Sequence, residues 1–210
     1  MLFFNSPLIG GLISGIATLV TGLIAIYVFK LQKKNQEINA ATTILLEIRN
    51  AENKINEIIE RLDKQSHTDL PSVLPTNSWR RNSHLFVKHL DLDNIELLNT
   101  FYTSCEIIED LVNRQNNYFW ITTEERAKTV QHLLATIHDD YQKDRLENDV
   151  NAQAKFDARK SALDQFYGND SLSYAPNKTV NGLKYHSQKL QRIIATPCGE
   201  QLKKIAKLSK

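Results

Sequence analysis

The first 29 residues of this 210-residue chain contain no charged side chain. That absence excludes an ordinary solvated start. The run from Pro7 to Phe29, almost entirely apolar or small, is long enough to cross a hydrocarbon core of about 30 Å as a helix. Lys and Arg are also missing before the run, whereas Lys30, Lys33 and Lys34 follow it directly. The positive-inside rule then puts the N-terminus outside and the rest of the chain in the cytoplasm, at an inner (plasma) membrane. A cleaved secretory signal needs a basic leader, a shorter apolar core and a small-residue cleavage site. Met1–Ser6 carries no Lys or Arg, and the run closes on Ile26, Tyr27, Val28 and Phe29, so an uncleaved single-pass anchor is expected.

Other scarcities narrow the chemistry. The two cysteines, Cys105 and Cys198, are far apart and have no Cys or His at ligand spacing, which excludes a disulfide framework and a zinc knuckle. Four of the seven glycines (Gly10, Gly11, Gly15 and Gly22) fall inside the apolar run, leaving the remainder poor in the punctuation that a strand-rich fold needs. The 26 basic and 24 acidic residues nearly cancel, so no overall field draws nucleic acid or acidic substrates. GxSxG, GxxxxGK[ST] and GxGxxG are all absent, and with them the hydrolase elbow, the phosphate loop and the dinucleotide fold. His84, His89, Asp91 and Asp93 lie close together, but no i,i+4 histidine pair exists, and the acids suit a helix start better than a metal. No cofactor and no metal are expected.

What is present reads as an all-α chain. Residues 1–34 form a transmembrane anchor with a basic cytoplasmic flank, and residues 35–210 form one cytoplasmic all-α domain, a helical bundle with long, partly projecting helices. Within the anchor Gly11, Gly15, Thr18, Gly22 and Ala25 recur at intervals of four and three, making one helix face small. Such stripes let helices approach closely in lipid, so self-association into a homo-oligomer is expected. From Asn35 to Lys64 the apolar positions Ile38, Ala41, Leu45, Ile48, Ile55, Ile59 and Leu62 alternate by three and four, interrupted once by Glu52. No Pro or Gly separates this stretch from the anchor. One continuous helix is the simplest reading, pairing either as a coiled coil or within the chain.

Pro71 and Pro75 make 66–83 a connecting loop, with Trp79 docking on the helices beside solvated Arg80 and Arg81. Helix resumes at Asp93, with Glu96 completing a capping box, and ends near Asn116 and Asn117. Tyr118–Ile121 then plugs a junction between antiparallel helices. Thr122 with Glu125 opens a helix running from Thr123 to about Phe166, its apolar stripe clear only in the first half. After a polar loop over 168–178 come two short helices, one through Leu183, Leu190, Ile193 and Ile194, the other opening at Thr196 and Pro197. The last sets Leu202, Ile205 and Leu208 against Lys203, Lys204, Lys207 and Lys210, a basic amphipathic composition.

One spacing carries a possible chemistry. Arg126 and His132, with five residues between them on an expected helix, resemble the Arg-x(4-6)-His signature of the HEPN ribonuclease family, although Ala127 stands where that family usually has a polar residue. The resemblance implies that Arg and His from two protomers would meet at a dimer groove and promote attack of a ribose 2′-hydroxyl on the adjacent phosphate. Nine arginines and six histidines produce about one such spacing by chance, so the pair does not decide the function. The sequence is read as a non-enzymatic scaffold or regulatory interaction protein held in the lipid bilayer and engaging a cytoplasmic protein. The alternative is a membrane effector of an antiviral or toxin system, acting by bilayer perturbation or as such a ribonuclease.

Overall fold

A computed structural model describes residues 7–64, 69–167 and 176–208, with side chains from Ser14 onward. Met1–Ser6, the surroundings of Gly11, most of the 168–178 loop and Lys210 lie outside the described residues. Among these residues the chain is all-helical and has no strand: α1 (Pro7–Asp63), α2 (Ser78–Asn82), α3 (Leu92–Leu146), α4 (Ala152–Tyr167), α5 (Asn177–Lys189) and α6 (Pro197–Ile205), with a 3-10 turn at Ser83–Leu85.

The apolar run and the heptad-like stretch belong to one unbroken helix of 57 residues. Its two halves meet different surroundings. Every side chain from Ser14 to Asn35 is exposed, including Leu19, Leu23, Tyr27 and Phe29. From Ala40 onward one face is buried by the rest of the chain, through Ala41, Ile44, Ile48, Ile55, Ile58 and Leu62. Ile44 and Ile58 extend the expected seam, while Ile38 and Ile59 sit half-buried at its edge. The seam is therefore covered by other segments of the same chain.

Contacts along α1 fix the direction of each partner. Glu37 faces His89, Glu47 accepts from Tyr102, and Asn116 on α3 bridges Leu70 just past the end of α1, so α3 runs parallel to α1. Asp63 pairs with Lys184, Asn56 with Arg192, and Glu52 with Ile193, so the chain returns antiparallel through α5 and α6. The start of α3 and the end of α6 consequently lie beside the middle of α1, next to its apolar half.

Three helix carboxylates anchor the connecting segments. Glu47 accepts from Thr76 Oγ1 (2.7 Å), Ser78 N (3.0 Å), Ser78 Oγ (2.6 Å) and Tyr102 Oη (3.1 Å). Glu52, the polar interruption of the seam, accepts the backbone N–H groups of Ile193 (2.6 Å) and Ile194 (3.1 Å). Glu109 accepts those of Val73 (2.6 Å) and Leu74 (3.2 Å). Each replaces the water that unpaired backbone and hydroxyl donors lose on burial.

Four sequence expectations are corrected. The 66–83 segment is not loop throughout: α2 and the 3-10 turn occupy its end, with Asn77 capping Arg80 N at 2.8 Å. The N-cap of α3 is Asp91, whose carboxylate accepts from Asn94 N at 2.8 Å, so the helix starts one residue before Asp93 and the box with Glu96 is not used. The helix does not end at Asn116 and Asn117 but continues to Leu146. No Pro or Gly interrupts it, Asn116 spends its amide on Leu70 N and O (both 2.8 Å), and Thr122 and Thr123 donate to the carbonyls of Tyr118 and Phe119 instead of capping a new start. The break falls inside the expected 123–166 helix. Asn148 adopts φ 58°, Asp149 N closes back on Asp144 O at 2.9 Å, and Asn thus takes the left-handed position that ends many helices. α4 then folds back along the distal half of α3, joined by Tyr141 on Phe156 (ring centroids 5.0 Å) and Arg159 on Asp140 (2.6 Å). Because α1 ends near the level of Asn116, the α3–α4 hairpin projects past it.

Candidate functional site

The residues singled out in the sequence fall in three places. On the exposed half of α1, a methyl group added at Gly15 or Gly22 would meet no heavy atom within 4 Å, and Thr18 and Ala25 are exposed beside them. Thr18 and Thr21 turn their hydroxyls onto the carbonyls of Ser14 and Ala17 (both 2.9 Å), hiding polar groups that a lipid environment would penalise. Lys30, Lys33 and Lys34 are exposed where this half ends.

Arg126 and His132 lie on the projecting half of α3. Arg126 is half-buried and His132 exposed. Six residues at about 100° each set them roughly 120° apart around one helix and about 9 Å apart along it, so a single chain does not bring them together. Trp79 is buried, stacked between Phe86 (5.9 Å) and Tyr102 (6.5 Å), and donates from Nε1 to Asn99 at 2.7 Å, while Arg80 and Arg81 are exposed. His89 Nε2 stands 3.3 Å from Glu37, and Asp91 is occupied as a cap. Among the described residues no three His, Cys, Asp or Glu side chains gather as metal ligands.

Two concave regions went unread in the sequence. A groove of about 700 Å³ runs between α3 and α5, with Leu111 and Gly182 at its floor and Glu106, Asp110, Arg114, Lys178 and His186 on its walls. Arg114 and Asp110 pair across 2.7 Å, so the wall charges are in part mutually satisfied. A smaller cleft of about 210 Å³ lies between α1 and α6. Its lining combines Lys34 with Lys204 and Lys207, separated by some 170 positions in the chain, and no local pattern announces such a pairing.

Both cysteines are buried. Burial first, and neighbouring carboxylates second, push the Cys105 thiol up to about 12, and burial with Asp91 pushes Cys198 up to about 11. Burial, followed by the Glu47 carboxylate, likewise holds the Tyr102 phenol far above the ordinary tyrosine range. Neither thiol is a nucleophile at neutral pH. Iodoacetamide is expected to label neither in the folded chain and both after denaturation, read by mass spectrometry. These raised values stabilise the fold below pH 9, and that contribution drains away as pH rises toward 11 to 12, because the unfolded thiols ionise first.

The chain matches no family model, no curated protein and no solved structure.

Proposed function

We propose that this chain is a single-pass membrane scaffold or regulatory subunit, with residues 7–29 spanning an inner membrane and the following helices forming a cytoplasmic bundle that presents a projecting hairpin to a protein partner. One observation carries the reading: α1 is a single helix whose first half exposes large apolar side chains and whose second half is the central wall of a buried core. Water penalises the first half and suits the rest, and a bilayer around the first half resolves the conflict. The rigid continuation of the span into the core fixes the orientation of the domain relative to the membrane. Trp120, Ile121, Leu146, Val150 and Phe166 leave apolar surface exposed on the projecting hairpin, which favours a binding role for it.

The open stripe of Gly15, Thr18, Gly22 and Ala25 supports self-association through the span. Gly15→Leu is expected to shift the detergent-solubilised chain toward monomer, a loss of about 1 to 2 kcal/mol, measured by light scattering. An unchanged oligomer would remove the stripe from the interface. The scaffold reading is tested by overexpression and by cross-linking in intact membranes. Cells are expected to tolerate the chain, and cross-links should join copies of it to each other and to a cytoplasmic protein through the hairpin. Growth arrest abolished by His132→Ala would favour the effector reading instead.

A further inference from the structure

Cations from distant parts of the chain gather at the end of the helical core that adjoins the exposed half of α1. Lys34 of α1 and Lys204 and Lys207 of α6 line the 210 Å³ cleft, with Ile38, His89 and Ile205 between them. Glu37 also lines it, and its carboxylate is turned to His89 Nε2 at 3.3 Å. Among the described residues no ion pair engages the three lysines. Other acids near this end are Asp91, held as the α3 cap, Asp93 in the first turn of α3, and Glu200, one turn before Lys204 on α6 and paired with Lys203 at 2.7 Å.

Two features set this end apart from an ordinary solvated surface. Lys207 adopts φ 56°, and Leu208 N closes on Lys203 O at 2.9 Å, so a lysine occupies the left-handed helix end that glycine takes at lower conformational cost. Lys207 lines the cleft from this position. Val87, Leu92 and Leu208 are exposed large apolar side chains around the same end: Val87 and Leu92 flank His89, and Leu208 follows Lys207.

We infer that this end docks on the bilayer surface, the cleft receiving the phosphate of an anionic phospholipid headgroup while Val87, Leu92 and Leu208 enter the interface. The inference rests on reading the first half of α1 as a span. At 1.5 Å per residue, Lys34 lies about 8 Å and Ile38 about 14 Å beyond Phe29. A headgroup layer extends roughly 5 to 8 Å from the hydrocarbon on each side, so Lys34 lies at its outer edge and the cleft at the level of Ile38 stands about 6 Å further out, a gap that extended lysine side chains span. Lysines close to an anionic surface attract it, and amphipathic chains add apolar anchoring. A free phosphate would gain the cleft lysines but nothing from the apolar rim, which is why the bilayer is the favoured occupant.

The test uses the full chain in lipid nanodiscs, with a bimane fluorophore on Leu208→Cys or, separately, on Ile16→Cys. Cys105 and Cys198 are buried and stay unlabelled. In discs containing phosphatidylglycerol and a headgroup nitroxide, bimane at 208 is expected to be quenched. In phosphatidylcholine discs, at high salt, or with Lys34→Ser, Lys204→Ser and Lys207→Ser combined, that quenching should fall away, each lysine changing the docked-to-undocked ratio by about fivefold. All three lysines lie at the surface, and circular dichroism checks that the triple variant keeps its helices. Bimane at 16 should be quenched by an acyl-chain nitroxide in every disc. Loss of quenching at 16 would bring down the span reading. Quenching at 16 with none at 208, or quenching at 208 indifferent to the lysines, would overturn the docking inference alone.

Discussion

Replacing Glu47 by leucine is expected to destabilise the chain by about 3 kcal/mol. The carboxylate receives four donors from three residues, and two of them, Ser78 and Tyr102, are buried. Without it the N–H and hydroxyl of buried Ser78 and the hydroxyl of buried Tyr102 lose their acceptor, each at the desolvation cost of an unmade bond. Glu47→Gln keeps the shape and one acceptor oxygen, so about half the loss is expected. Denaturant unfolding of the detergent-solubilised chain measures both. Trp79, stacked on Tyr102, reports the same event through its emission. Equal midpoints for the leucine variant and the native chain would mean that Glu47 does not hold the 76–78 segment.

Gly199→Ala should cost about 2 kcal/mol, although alanine is the better helix former by about 1 kcal/mol. A methyl at Gly199 would lie 2.5 Å from the carbonyl oxygen of Ile193 and 2.7 Å from that of Ile194. Those carbonyls cannot easily retreat. Glu52 holds the two N–H groups of the same residues, and Ile193 O accepts from Thr196 N (2.9 Å) and Thr196 Oγ1 (2.7 Å). Gly182→Ala is the control. Its methyl would touch only the flexible end of Leu111 at 3.4 Å, so its stability should stay within about 1 kcal/mol of the native chain. Similar midpoints for the two variants in denaturant would show that α6 can move away from the 193–194 turn.

Which features were legible follows from how local their causes are. The helix caps at Thr196 and Pro197 are written in adjacent residues, and the structure has both, with Thr196 as N-cap and Pro197 opening α6. The continuity of α1 follows from the missing breakers between Phe29 and Asp63. Asn116 and Thr122 misled because a side chain that caps a helix can equally bond to a distant loop or to its own helix, and only tertiary structure selects between them. Asn148 was the available signal for the real break, a residue that tolerates the left-handed conformation, but it stands in a charged stretch with no apolar pattern to interrupt. Glu52 looked like a flaw in a heptad seam and is instead the acceptor for a returning backbone. The cleft that joins Lys34 to Lys204 and Lys207 depends on α6 returning alongside α1, a consequence of the whole fold that no window of sequence contains.

The most direct test of the central claim is the location of the helical core relative to the membrane. Alkaline phosphatase, active only outside the cytoplasm, and green fluorescent protein, fluorescent only when folded inside it, are each fused after Lys210. The lysines that follow the apolar run should hold that end inside, so the fluorescent fusion is expected to glow and the phosphatase fusion to stay inactive. Neutralising Lys30, Lys33 and Lys34 should weaken this bias. An active phosphatase fusion on the native chain, or a fluorescent fusion recovered in the soluble fraction, would contradict a membrane anchor with a cytoplasmic helical domain.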